Sequence, residues 1–449
     1  GVPCFVADMK GDVSGMAEPG EASDKVAARI EQLKAAWEPH ASPVELLTLS
    51  GDPAKGVPVR ASVSEFGAPL LAKVLDLNDV QTSVLSLVFH YADSGGLLLV
   101  DLKDLREVLK FLGTDEGQAA VADLGGVAKP TLGVLLRKLV ELEEQGVAGL
   151  FGEPAFDVND LLRTDPSGKG MVTLLELADV ADRPRVFSTF MMWLLAELFE
   201  ALPEVGDLDK PKLVFFFDEA HLLFDGASKA FVDQVQRTVR LIRSKGVGVF
   251  FITQLPQDLP DEVLAQLGNR IQHALRAITP KDAAAIDKTV QTYPMTEVYD
   301  LASALTSLGV GEAVVTVLSP DGVPTPVAWT RLYPPESRMA PADPATIQAA
   351  VAGSAIHGRY AQLVDPDSAY ERLTARLQQA EADKPIPPPK PAPRAPEPEP
   401  KPARRSPAPE SGVDTHDLIQ MGKMALRFMN TPAGKEIQRS IFGVLRTRR

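Results

Sequence analysis

Short apolar runs alternate with longer stretches of helical period along most of this chain. Pro3-Cys4-Phe5-Val6-Ala7 reads as a buried strand that stops at Asp8, followed by a glycine-bearing turn at Gly11 and Gly15 and a helix around Ser23–Trp37. Val44–Leu49 and Val57–Val63 read as further short strands. From Asn78 to about Gly149 the period changes: Leu85, Val88 and Phe89, then Leu105, Val108, Leu109 and Leu112, recur at helical spacing. A strand is expected at Met171–Leu177 and a long apolar helix at Arg185–Leu202. The most apolar strand, Lys212–Phe217, ends in Asp218 and leads to a helix Ser228–Arg243 and a strand Val247–Thr253. Arg270–Arg276 is a further expected strand, with helices near Pro280–Val290 and Thr296–Leu305 after it. The last pair, Ala313–Leu318 and Val327–Leu332, is expected to be antiparallel. Strands alternating with helices predict an α/β fold with a mostly parallel sheet and flanking helices.

The pattern divides the chain into a first core part (1–77), a helical insertion (78–150), a second core part (151–340) and a helical segment (341–384). Residues 385–411 are rich in proline and charge and read as an extended linker. The remainder, 412–449, reads as a short basic helical tail; from 415 onward it carries seven Lys/Arg against two acidic residues.

Composition narrows the classes. A hydrophobic fraction of 45% supports a sizeable core, and an aromatic fraction of only 6% leaves Ala, Val and Leu to build it. The formal net charge of −14 excludes a surface coated in basic residues, while leaving room for a local positive track along a nucleic-acid strand. One cysteine, Cys4, excludes an intrachain disulfide and fits a reducing, cytoplasmic setting. The six histidines are scattered, which argues against a zinc site. No apolar run is long enough to span a bilayer.

The chemistry concentrates at strand ends. Leu213-Val214-Phe215-Phe216-Phe217-Asp218-Glu219 is an apolar strand running into two acids, the pattern of a Walker B segment. There Asp218 would hold the shell of a Mg2+ ion, and Glu219 would orient and deprotonate the attacking water. Alternatively the two are surface acids that end a core strand. Val249-Phe250-Phe251-Ile252-Thr253-Gln254 is a second apolar strand with a polar end, and the Gln254 amide can donate to a phosphate oxygen and accept from water at once. Arg270 and Arg276 flank the run Ile271–Leu275, and either could supply a guanidinium to a transferring phosphoryl group. Asp8 and Lys10 follow the first strand, either facing the same metal and nucleotide or building a turn. No G-x-x-x-x-G-K-[ST] phosphate loop occurs; Pro166-Ser167-Gly168-Lys169-Gly170 lacks its upstream glycine and its Ser/Thr and reads as a loop.

The string Phe5-Val6-Ala7-Asp8-Met9-Lys10-Gly11-Asp12-Val13-Ser14-Gly15, the segment Phe217–Phe224, the segment Ile252–Pro260, the run Leu267–Ala277 and the segment Arg331–Met339 occur in this order and resemble the HerA-like ATPases of the HerA/FtsK superfamily. The resemblance covers residues 1 to about 340 and recurs in the basic tail. It implies a RecA-like fold, Mg2+-dependent ATP hydrolysis and a homo-hexameric ring on double-stranded DNA, with a nuclease or another protein as a partner through the tail. It implies Asp218 and Glu219 as the Walker B acids, Gln254 as the sensor, and Arg270 or Arg276 as the finger. The family's phosphate loop lies shortly before the segment matched at Phe5, so a sequence truncated at its start is the expectation. A non-catalytic scaffold and a secretion-type motor of the same superfamily are the alternative expectations.

Overall fold

The computed structural model describes residues 1–382 apart from 181, 207 and 225–228. The expected linker and basic tail lie outside the described residues, as does the expected helix start at Ser228. Six strands, β1 (Cys4–Asp8), β2 (Val44–Thr48), β3 (Val57–Pro58), β4 (Val172–Glu176), β5 (Leu213–Phe217) and β6 (Val247–Phe251), form one sheet in the order β3-β2-β4-β1-β5-β6. Every pairing in it is parallel, so all six strands present their C-terminal ends along one edge. The expected α/β fold with a mostly parallel, helix-flanked sheet is the fold observed.

The strands form where the sequence is apolar enough to be buried on both faces, as parallel sheets require. On one face Phe5, Leu47, Leu175, Phe215 and Phe217 pack into the main core, against helices that include Val63–Val74, Pro184–Ala201 and Lys229–Leu241. On the other face Val6, Leu46, Val172 and Leu174 pack against Val351 of the helix Pro344–Ala352. Phe5 and Phe215 meet at 4.8 Å between ring centroids and are fully buried, each burial stabilising the sheet by about 1.5–3 kcal/mol. The sheet ends at β6, where Phe250 and Ile252 are each 46% exposed; Phe250 stacks on half-buried Phe216 at 4.9 Å.

Several boundaries differ from the sequence expectation. The strand expected at Val57–Val63 covers only Val57–Pro58, because Ser62 and Glu65 form a reciprocal capping box that starts the helix Val63–Val74. The helical layer therefore begins ahead of residue 78. It continues through Asp79–Ser94, Leu102–Leu112, Asp115–Ala120 and Lys129–Glu144. The helix Asp24–Leu33 is shorter than expected; its N-cap Ser23 accepts from the Val26 amide. The strand expected at Arg270–Arg276 ends at Gln272, and the amide of Leu275 is instead spent on the Leu305 carbonyl at 2.9 Å.

That short strand, β7 (Arg270–Gln272), joins β8 (Glu312–Thr316) and β9 (Ala328–Arg331) in a separate three-stranded sheet, antiparallel throughout. The expected antiparallel pairing of the last two strands is present. Leu275, Ile286, Leu301, Leu305 and Val314 give this region its own small core. Among the described residues no helix is long and apolar enough to cross a membrane.

Candidate nucleotide and metal site

The candidate residues converge because their strands are neighbours in register. Ala7 pairs with Phe217 and Phe217 pairs with Phe251, so the residues that follow β1, β5 and β6 emerge side by side. Backbone bonds extend this alignment past the strands: Asp218 donates to the Ala7 carbonyl at 3.2 Å, and Ala220 to the Ile252 carbonyl at 2.7 Å. Ligands of open α/β sheets bind at this C-terminal edge.

Asp8 is fully buried, and its carboxylate accepts backbone N–H bonds from Lys10 at 3.1 Å, Gly11 at 2.7 Å and Val13 at 2.9 Å. It thereby folds the turn after β1. Gly11 holds φ +76°, where a Cβ would be strained. This turn delivers Lys10, whose Nζ donates to Glu219 Oε1 in an ion pair. Glu219 is buried and holds φ +45°, an uncommon conformation for a side-chain-bearing residue. The bond from Lys10 holds the Glu219 carboxyl below its ordinary range; the nearby His221 ring and a bond from the Gln254 side chain act in the same direction. His221 Nδ1 approaches Glu219 Oε2 to 3.4 Å but is enclosed without a hydrogen-bond partner.

Asp218 is half-buried, and burial first, then the charge of Glu219, pushes its carboxyl above the ordinary range. Asp8, Asp12 and Asp218 can each aim one carboxylate oxygen so that all three oxygens lie within 4.8 Å of one another. Three hard oxygen donors that repel one another suit a divalent cation of the Mg2+ type. The residues present therefore fit the group that the Walker B pattern implies, with Asp12 added to the expected Asp218.

Two acids escaped the sequence reading. Asp12 lies in the turn after β1, where only the fold shows that it faces Asp218. Glu176 ends β4 directly beside Asp8, and burial, with the charges of Asp8 and Asp179, pushes its carboxyl up to about 7. Its signal was present, since it closes an apolar strand just as Asp8 does. Arg270 belongs to the other sheet and Arg276 follows it there. Arg270 is half-buried with its guanidinium 5.9 Å from the Tyr293 ring centroid and its Nη1 enclosed without a partner. Arg276 is exposed beyond the end of β7. No hydrogen bond or ion pair among the described residues joins either arginine to Asp218, Glu219 or Gln254.

The family model for the C-terminal region of HerA-like helicases matches residues 1–449, the whole chain. The chain belongs to this family. It is thus a HerA-like P-loop ATPase. Similar solved structures include the plasmid coupling protein TrwB in complex with ADP and Mg2+, at 14% identity and TM-score 0.47, covering 77% of this chain and 81% of TrwB. An unbound form of TrwB matches at 12% identity and TM-score 0.46, covering 75% of this chain and 80% of that one. VirB4 of Thermoanaerobacter pseudethanolicus matches at 16% identity and TM-score 0.40, covering 74% and 82%. No curated protein matches this chain.

Proposed function

We propose that this HerA-like chain is the ATP-hydrolysing part of a DNA motor, working in the cytoplasm as a homo-hexamer on double-stranded DNA. The observation that carries the reading is the alignment of Asp218, Glu219 and Gln254 on adjacent parallel strand ends beside the Asp8–Asp12–Asp218 oxygen cluster. In this reading Asp8, Asp12 and Asp218 hold Mg2+, which supplies charge neutralisation for the phosphates. Glu219 accepts the proton of the attacking water, and Gln254 holds that water and the terminal phosphate in place. Lys10 contacts the nucleotide. Arg276, which is exposed, acts on the site of a neighbouring copy; Arg270, stacked on Tyr293, is less suited to that role.

The phosphate-cradling loop is not encoded in these residues, and the outer edge of β6 is the place where an element carrying it could seat. Among the described residues that edge is unpaired and keeps Phe250 and Ile252 exposed, whereas a parallel sheet is ordinarily covered on both faces. The roles as a secretion-type motor and as a scaffold separate by experiment. The full-length protein should hydrolyse Mg2+-ATP faster with double-stranded DNA, and Glu219→Gln should cut turnover roughly 100- to 10,000-fold while nucleotide still binds. Turnover unchanged in Glu219→Gln removes the base role. Nucleotide binding without hydrolysis in the wild type leaves the scaffold. Hydrolysis indifferent to DNA favours the secretion-type motor.

A further inference from the structure

Glu219 enters this site already engaged. Its carboxylate accepts from Lys10 Nζ, and its backbone is held at φ +45°. A base committed to an ammonium group is badly placed to take a proton from water, because that proton must compete with the cation. The two partners differ sharply in freedom: the Glu219 side chain is 10% exposed and the Lys10 side chain 57%. The acid is fixed by the fold and the cation is the movable member. Three backbone bonds to buried Asp8 pin the turn from which Lys10 springs, so its four-carbon stem can swing while its root stays put.

We infer that Lys10 is an exchangeable counter-ion, paired with Glu219 and drawn to the terminal phosphate of a nucleoside triphosphate, which frees Glu219 for water. The inference rests on the nucleotide reading above. It follows from the reach of Lys10: a base one water away from the reacting phosphate has its counter-ion close to that phosphate too. A terminal phosphate carries more negative charge than one carboxylate and so attracts the ammonium more strongly. A diphosphate lacks that group, and Lys10 then stays on Glu219. The site would therefore release its base for a triphosphate and not for a diphosphate.

The test is a double-mutant cycle read by equilibrium binding rather than turnover, on the full-length protein with Mg2+. The probes are a fluorescent non-hydrolysable ATP analogue and fluorescent ADP. Lys10→Met should weaken the ATP analogue about tenfold and ADP little. Glu219→Gln removes the competitor for Lys10 and should tighten the ATP analogue about tenfold, again with little effect on ADP. In Lys10→Met/Glu219→Gln that tightening should vanish, which is the non-additivity expected of exchanging partners. Lys10→Arg, which keeps the charge, should retain most of the preference for the triphosphate. Thermal unfolding confirms that each variant is folded, as expected for a half-exposed lysine. Tightening by Glu219→Gln that persists without Lys10, or equal weakening of ATP analogue and ADP by Lys10→Met, overturns the exchange alone. A wild type that binds neither probe overturns the nucleotide reading and the exchange with it.

Discussion

The parallel sheet and the small antiparallel sheet solve different problems with the same chain. In the first, Phe5, Leu47, Leu175 and Phe215 are essentially fully buried between helices. In the second, Ile271 and Trp329 remain 56% and 39% exposed. A parallel sheet sends every strand end to one edge, so Asp8, Glu176, Asp218 and Gln254 converge without any loop having to reach far. An antiparallel sheet alternates its ends, so Arg270, which begins a short strand, and Arg276, four residues past the end of that strand, gain no such company. The difference teaches that the candidate site residues gather at the edge of the large sheet, while the small sheet leaves apolar side chains exposed.

The largest test of this contrast is Arg276. If it acts on a neighbouring copy, Arg276→Ala should lower DNA-stimulated turnover about 1,000-fold with nucleotide binding kept. Arg270→Ala should instead lower the unfolding temperature and leave turnover within about tenfold, because its guanidinium packs on Tyr293. Reversed outcomes in a steady-state ATPase assay exchange the two assignments. Next come the cores. Phe215→Ala should cost about 3–5 kcal/mol in urea unfolding and loosen the whole sheet edge. Leu305→Ala, fully buried in the small core, should cost about 2–5 kcal/mol while the Lys10–Glu219 region stays protected in hydrogen exchange. Equal loss of protection in both regions would show that the two sheets unfold as one.

The smallest effect concerns Glu176. Its folded carboxyl, raised from an ordinary 4.5 to about 7 chiefly by burial, binds a proton over a range where the unfolded chain does not. The stability tied to that proton is complete below about 4.5 and is lost as pH rises through about 7. Glu176→Gln removes the titration. It should therefore be more stable than wild type at pH 8 by on the order of 2 kcal/mol after solvent screening, with the gap shrinking toward pH 4.5. Thermal unfolding of both proteins at several pH values, without divalent cation, reads the difference directly. A gap that does not change with pH would mean that Glu176 is charged in the fold throughout.

What the sequence determined by itself was the order of elements and the residues that close the apolar strands. Phe5 to Asp8, Leu213 to Glu219 and Val249 to Gln254 were legible because each is an unbroken apolar run with an abrupt polar end. The helix near Pro280–Val290 was legible; Thr279 and Asp282 cap it and Pro280 begins it. The short strand after Val57 was misjudged because apolar residues of a strand and of a helix's first turn look alike until the capping box at Ser62 and Glu65 is weighed. The antiparallel region was only half legible, because three residues of β7 carry too little pattern to mark where it ends. Tertiary structure alone decided which polar ends meet. Lys10 and Glu219 lie 209 positions apart in the chain, and nothing local marks them as partners. The same holds for Asp12 beside Asp218, and for Arg270 turned onto Tyr293. Hydrophobic periodicity is written residue by residue, whereas an ion pair across two strands exists only once strand order and register have been set by packing.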